Sequence, residues 1–149
     1  MTAAEMWNQF IIENEIGEAE YEAWAFGDVS DELANLVLEG IKTGTSSAYP
    51  LYELADEQLP QADEYSVILD SQGNAICIIK TTNVEILPFK DVEEIHAYKE
   101  GEGDKSLDYW RQVHKVFFEK CMQDAGLVFD ENMLVVFEEF EVVYDGNKA

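Results

Sequence analysis

Met133-Leu134-Val135-Val136-Phe137-Glu138-Glu139-Phe140-Glu141-Val142-Val143-Tyr144, close to the end of the chain, reads as one long strand. Valine, phenylalanine and tyrosine dominate it, and such side chains suit a pleated, half-buried surface. Working back, Tyr65-Ser66-Val67-Ile68-Leu69-Asp70 reads as a second strand and Ser71-Gln72-Gly73-Asn74 as a turn. A further strand runs from Ala75 through about Leu87, long enough to curve or carry a bulge. Tyr21-Glu22-Ala23-Trp24-Ala25-Phe26 alternates large apolar with small or polar residues, and this short strand stops at Gly27-Asp28. Strands grouped in this way, with helices between them but not in strict alternation, predict an α+β fold: a small mixed or antiparallel barrel with attached helices.

The helices follow from apolar spacing and caps. Met6, Phe10 and Ile11 mark one face of an N-terminal helix over about 4–15. Ser30 is placed as an N-cap, with Asp31 and Glu32 in the first turn where the dipole favours them. Leu33, Leu36 and Val37 then form the buried face, and Gly40 is the stop. Helical spacing returns between Asp91 and Lys99. It recurs after Ser106, where Leu107, Trp110, Val113, His114, Phe117 and Cys121 share a stripe through about Ala125. No repeat, linker or low-complexity segment divides the 149 residues, which predicts a single domain able to bury a proper core.

Charge restricts function more than composition does. Acids number 32 against 9 bases, for a formal charge of −23. Binding to a nucleic-acid backbone uses Lys and Arg to displace counterions, so long RNA or DNA is disfavoured as a partner. A small or locally presented ligand is not. No window approaches the roughly 20 apolar residues that span a bilayer, and no basic n-region opens the chain, so no membrane partner and a cytoplasmic location are expected. Cys77 and Cys121 fall inside apolar patterns, which favours reduced, buried thiols over a disulfide.

Lys42 stands out against this background. It is the first basic residue of the chain, and the next is Lys80. It lies in Gly40-Ile41-Lys42-Thr43-Gly44-Thr45-Ser46-Ser47, where a helix ends and irregular backbone is expected to take over. A partly desolvated lysine can act as a base, and a neighbouring hydroxyl as a nucleophile. The alternative is a cation at a helix C-terminus with hydroxyls capping the turn. His96 and Glu100, four apart, form either a small acid–base unit or a surface ion pair. Glu93 and His96 have the spacing of a carboxylate-bridged metal helix, but the second copy such a site needs is missing. His114 fits best as a satisfied core or boundary histidine. Gly101-Glu102-Gly103-Asp104-Lys105-Ser106 fails as a phosphate loop because Asp104 stands where glycine is required. Its acids could draw a divalent cation, though an exposed acidic loop is the simpler account. No Cys-x-x-Cys, HExxH or Gly-x-Ser-x-Gly occurs, and neither cofactor nor metal is expected. Trp24 is a candidate stacking surface, with core packing as its default.

Trp24-Ala25-Phe26-Gly27-Asp28, the Leu36–Ser47 stretch and His96-Ala97-Tyr98-Lys99-Glu100-Gly101-Glu102-Gly103-Asp104 through Arg111 resemble the ASCH domain family, over about 21–144. The branch most similar is that of bacterial single-domain proteins. The resemblance implies a PUA-like β-barrel ringed by helices, with a cleft beside the Gly-x-Lys-x-x-Thr loop. PUA relatives bind RNA, and one small member of the family is an amidohydrolase acting on N4-acetylcytidine. Carried over by position, its catalytic groups correspond to Lys42, Thr45 and Glu100. A carboxylate beside a lysine favours the charged form, which works against a base role, so Glu100 serves instead to orient Lys42 or to move the leaving-group proton. That enzyme has an arginine two residues after its threonine; Ser47 stands there in this chain, which calls the same substrate into question. The expected function is a cleft for a nucleobase- or nucleoside-like small molecule. Lys42, Thr45 and Glu100 form its floor, with Trp24, Ser46, Ser47 and His96 around it. The alternatives are the hydrolase and an RNA-binding adaptor.

Overall fold

A computed structural model describes residues 1–26 and 30–145 of the chain. The elements run α1 (Ala3–Glu13), β1 (Tyr21–Ala25), α2 (Ser30–Leu38), β2 (Gly44–Ala48), α3 (Tyr49–Ala55), β3 (Tyr65–Leu69), β4 (Ala75–Pro88), a 3-10 turn (Phe89–Asp91), α4 (Glu94–Glu100), α5 (Leu107–Asp124) and β5 (Leu134–Asp145). The five strands form one curled sheet, a half-barrel in the order β1-β3-β4-β5-β2. β1 pairs parallel with β3, and every other pairing is antiparallel.

β4 and β5 are the spine, paired from Cys77 opposite Asp145 to Pro88 opposite Leu134. The ladder shifts register between Ile78 and Ile79 and again between Thr81 and Asn83. Such irregularities bend a strand and increase its twist, so one sheet can curl around a core. Three apolar clusters pack against it. Met6, Trp7 and Phe10 of α1 meet Val67 and Ile78. Ala34 and Val37 of α2 meet Ile68, Ile79 and Phe140. Trp110, Phe118 and Met122 of α5 meet Phe89, Val92, Ala97 and Val135.

Two elements depart from the sequence expectation. Thr45-Ser46-Ser47, taken as irregular backbone, is instead the edge strand β2, and Ala48 leads directly into α3. Ser and Thr make a weak strand signal on their own; pairing with the strongly β-prone Val135–Glu139 segment decides the matter. The helix expected from Asp91 begins only at Glu94, after the 3-10 turn. Arg111, the chain's one arginine, fixes that turn by donating to the carbonyls of Phe89, Lys90 and Val92. Ser106 caps α5 as expected, accepting from the Tyr109 N–H. The expected strand stop at Gly27-Asp28 lies outside the described residues. None of the described helices is long and apolar enough to cross a membrane. No disulfide joins Cys77 to Cys121; Cys77 is buried in β4 and its thiol is pushed up to about 12, chiefly by burial.

Candidate functional site

Lys42 does not project into solvent. It is 2% exposed, drawn inward by the way α2 ends. Gly40 takes a left-handed conformation, φ 77°, and the N–H groups of Ile41 and Lys42 both return to the Leu36 carbonyl. The chain is thereby turned onto the C-terminus of α4, where the Thr43 N–H donates to Lys99 O at 2.7 Å. Gly101 permits this approach: its φ is 70°, and a Cβ there would lie 2.4 Å from the Ile41 carbonyl oxygen. Lys42 and Glu100, 58 residues apart, are brought face to face by these two glycine turns.

The Lys42 ammonium donates to Glu102 Oε2 at 2.8 Å, Glu100 Oε1 at 3.3 Å and the Glu100 carbonyl at 3.4 Å. Three acceptors match its three hydrogens. Its charge also lies 5.4 Å from the Phe26 ring centroid. Glu100 is 1% exposed and accepts from Ser46 Oγ and Trp110 Nε1 as well. Burial pushes its pKa up, but the Lys42 and His114 charges and these hydrogen bonds outweigh burial, holding the carboxyl well below the usual carboxylate range.

His114 was missed as a member of this group. Its Nδ1 lies 2.9 Å from the Trp110 carbonyl oxygen, and its Nε2 lies 3.3 Å from Glu100 Oε1. Both ring nitrogens face acceptors, and only the imidazolium donates from both. Burial lowers its pKa, yet Glu100 outweighs that effect and the net displacement is upward. Lys42, His114, Glu100 and Glu102 therefore form an ionisable quartet in which the raised pKa of His114 favours its protonated form. Helical spacing alone put His114 beside Trp110, but the partner across the fold lies in no local pattern. Glu102 likewise joins the quartet from the loop between α4 and α5, where it is partly buried while Asp104 is exposed.

The quartet is the polar floor of a cavity of about 440 Å³ walled by Phe26, Leu33, Val113 and Phe117. Ser46 and Thr45 also line it. A second, larger cavity of about 860 Å³ lies beyond Thr45, which borders both. Trp24 and Ser47 line that larger space and not the quartet's cavity. The Trp24 ring packs edge-on against Phe26 at 4.9 Å, so the two aromatic walls meet between the cavities. His96 lines neither. Its Nδ1 accepts from the Glu93 N–H at 2.9 Å and its Nε2 reaches Glu85 Oε2 at 3.2 Å; no hydrogen bond or ion pair joins it to Glu100 among the described residues. Ligand atoms of Glu100, Glu102 and His114 lie within 4.8 Å of one another, close enough to bridge a cation. The Lys42 ammonium already holds the same carboxylates, so a metal ion would have to compete with it.

This fold and this site define a PUA-like half-barrel with a buried lysine–glutamate centre. The ASCH domain model matches residues 22–144, and the chain belongs to that family. It resembles the crystal structure of an ASCH domain from Lactobacillus crispatus JV V101, with 33% identity, a TM-score of 0.88, and coverage of 95% of this chain and 93% of that one. Protein EF3133 from Enterococcus faecalis V583 is 37% identical, with a TM-score of 0.90 over 97% of this chain and 90% of that one. The hypothetical protein PH0355 shares the fold at 17% identity and a TM-score of 0.56. No curated protein matches.

Proposed function

We propose that this ASCH domain binds a small nucleobase- or nucleoside-like molecule in the quartet's cavity. The observation that carries the reading is a hydrogen-bonded group of four ionisable side chains, three buried and Glu102 partly so, at the bottom of an apolar-walled hollow of about 440 Å³. That volume suits a small ligand, and a few fixed polar groups among apolar walls are what orient one. Phe26 and Phe117 offer faces and edges to a planar ring. Glu102 and the two hydroxyls of Thr45 and Ser46 offer donors and acceptors to its polar edge.

A link to RNA metabolism fits a nucleoside-sized ligand better than a polymer, since a charge of −23 repels a polyanion at long range. An RNA-binding adaptor would show affinity for structured RNA that falls steeply with salt.

An amidohydrolase built on the same residues is the second reading, favoured by the hydroxyls of Thr45 and Ser46 lining the cavity. Thr45 Oγ1 would attack the N4-acyl carbonyl of a cytidine and pass its proton to Lys42, which returns it to N4 as the acyl C–N4 bond breaks. Water then hydrolyses the acyl-threonine to carboxylate and free Thr45. The three engaged hydrogens of Lys42 count against it, because a base needs a lone pair facing the hydroxyl. Incubation with cytidine and N4-acetylcytidine separates the readings. Saturable binding of either without product, weakened in Lys42→Ala, is the expected result. Product formation lost in both Lys42→Ala and Thr45→Val establishes the hydrolase, and no saturable binding of any nucleoside removes both.

A further inference from the structure

The larger cavity lies where the half-barrel fails to close. β1 and β2 are the two end strands of the sheet, each paired on one side only among the described residues, and both border this space. Glu22, Ala23 and Trp24 are consecutive in β1, and all three line it. Side chains alternate along a strand and cannot all face one way, so the unpaired strand edge with its carbonyl groups forms part of the wall.

The rest of the wall has a definite chemical character. Trp24 and Tyr52 present aromatic surface, and Glu22, Glu57, Glu64 and Glu138 present carboxylates. Among the described residues no Lys, Arg or His lines the cavity. This contrasts with the neighbouring hollow, where Lys42 and His114 balance two glutamates. Glu138 is half-buried and accepts a hydrogen bond from Thr81 Oγ at 2.5 Å. Burial pushes its pKa up, and Glu64 and Glu22 push the same way. Glu22, Glu57 and Glu64 are exposed at the rim, while the half-buried Glu138 carboxylate is partly desolvated, a cost that an entering cation relieves.

Exposed carboxylates alone would simply be solvated. The concave, half-open volume, the aromatic faces and the strand edge narrow the occupant. Aromatic faces attract alkylammonium groups, whose apolar carbons also gain from leaving water. Strand-edge carbonyls and carboxylates accept ammonium hydrogens. The volume of about 860 Å³ accommodates an extended organic molecule rather than a bare ion.

We propose that the open seam of the half-barrel is a binding site for a small organic cation, an alkylamine or polyamine held between Trp24 and Glu138. This does not depend on what occupies the smaller cavity. Isothermal titration of the whole protein in about 150 mM NaCl tests it, with 1,4-diaminobutane and spermidine as the probes. One-to-one saturable binding is expected, weakened about tenfold by Glu138→Gln and by Trp24→Leu. Glu13→Gln makes the same charge change on exposed α1 surface outside the cavity, and affinity there stays within about twofold. Absence of saturable binding overturns the proposal. So does an equal loss in Glu13→Gln and Glu138→Gln, which would reduce the effect to general attraction by an acidic chain. If circular dichroism shows Trp24→Leu unfolded, Glu64→Gln on the cavity wall takes its place, and unchanged affinity in both glutamate variants is again decisive against it.

Discussion

At Glu100 four side chains converge on one carboxylate: Lys42, His114, Ser46 and Trp110. Removing one member of a buried charge pair strands the other, so Glu100→Gln is expected to lower stability by about 3–5 kcal/mol in urea unfolding. The same substitution removes the main group holding His114 above its ordinary 6.5, and NMR titration of the His114 ring is expected to move downward in the variant. The pH dependence of wild-type stability follows from both signs. Glu100 is depressed below its ordinary 4.5, so its contribution is present above that value and lost on acidification below it. His114 is raised, so its contribution is complete below 6.5 and is lost as pH rises through its folded value. The joint contribution is therefore greatest between roughly pH 4.5 and 6.5, and urea midpoints for Glu100→Gln are expected to fall less than those of wild type on leaving that window in either direction. Glu138 has the opposite linkage to Glu100. Its raised pKa makes ionisation costly in the fold, so Glu138→Gln is expected to be more stable than wild type at pH 7 and no more stable below about pH 4.

Among the elements, the junction of α2 with α4 decides whether the quartet exists. Gly101→Ala places a Cβ against the Ile41 carbonyl and forces a left-handed φ on alanine. Strain and clash together are expected to cost about 2–4 kcal/mol, read as a lowered urea midpoint. A matching loss of nucleoside binding would tie the proposed cavity to this junction. In α5, Phe118 is fully buried among Phe89, Trp110 and Phe117. Phe118→Ala is expected to cost about 3–5 kcal/mol by calorimetry. Elements with strong periodicity, α1, α5, β3, β4 and β5, were legible in the sequence to within a few residues. β2 was not. Gly44-Thr45-Ser46-Ser47-Ala48 carries no apolar alternation, and only its pairing with β5 gives it strand geometry.

For the molecule as a whole, a charge of −23 on a chain this small means mutual repulsion in the folded state. Raising NaCl from about 10 to 500 mM is expected to raise Tm, since screening relieves that repulsion more in the compact state than in the expanded one. Composition, charge and apolar periodicity determined the α+β class and the acidic character, because those properties are local or additive along the chain. The motif around Lys42 and Glu100 determined the family. Which side chains meet was decided only in three dimensions. Lys42 came to rest in a buried quartet with His114 and Glu102, His96 turned away to Glu85, and Trp24 joined a different cavity from the lysine. Those outcomes depend on two left-handed glycine turns and on sheet curvature, which bring together groups more than 50 residues apart that no spacing along the chain encodes.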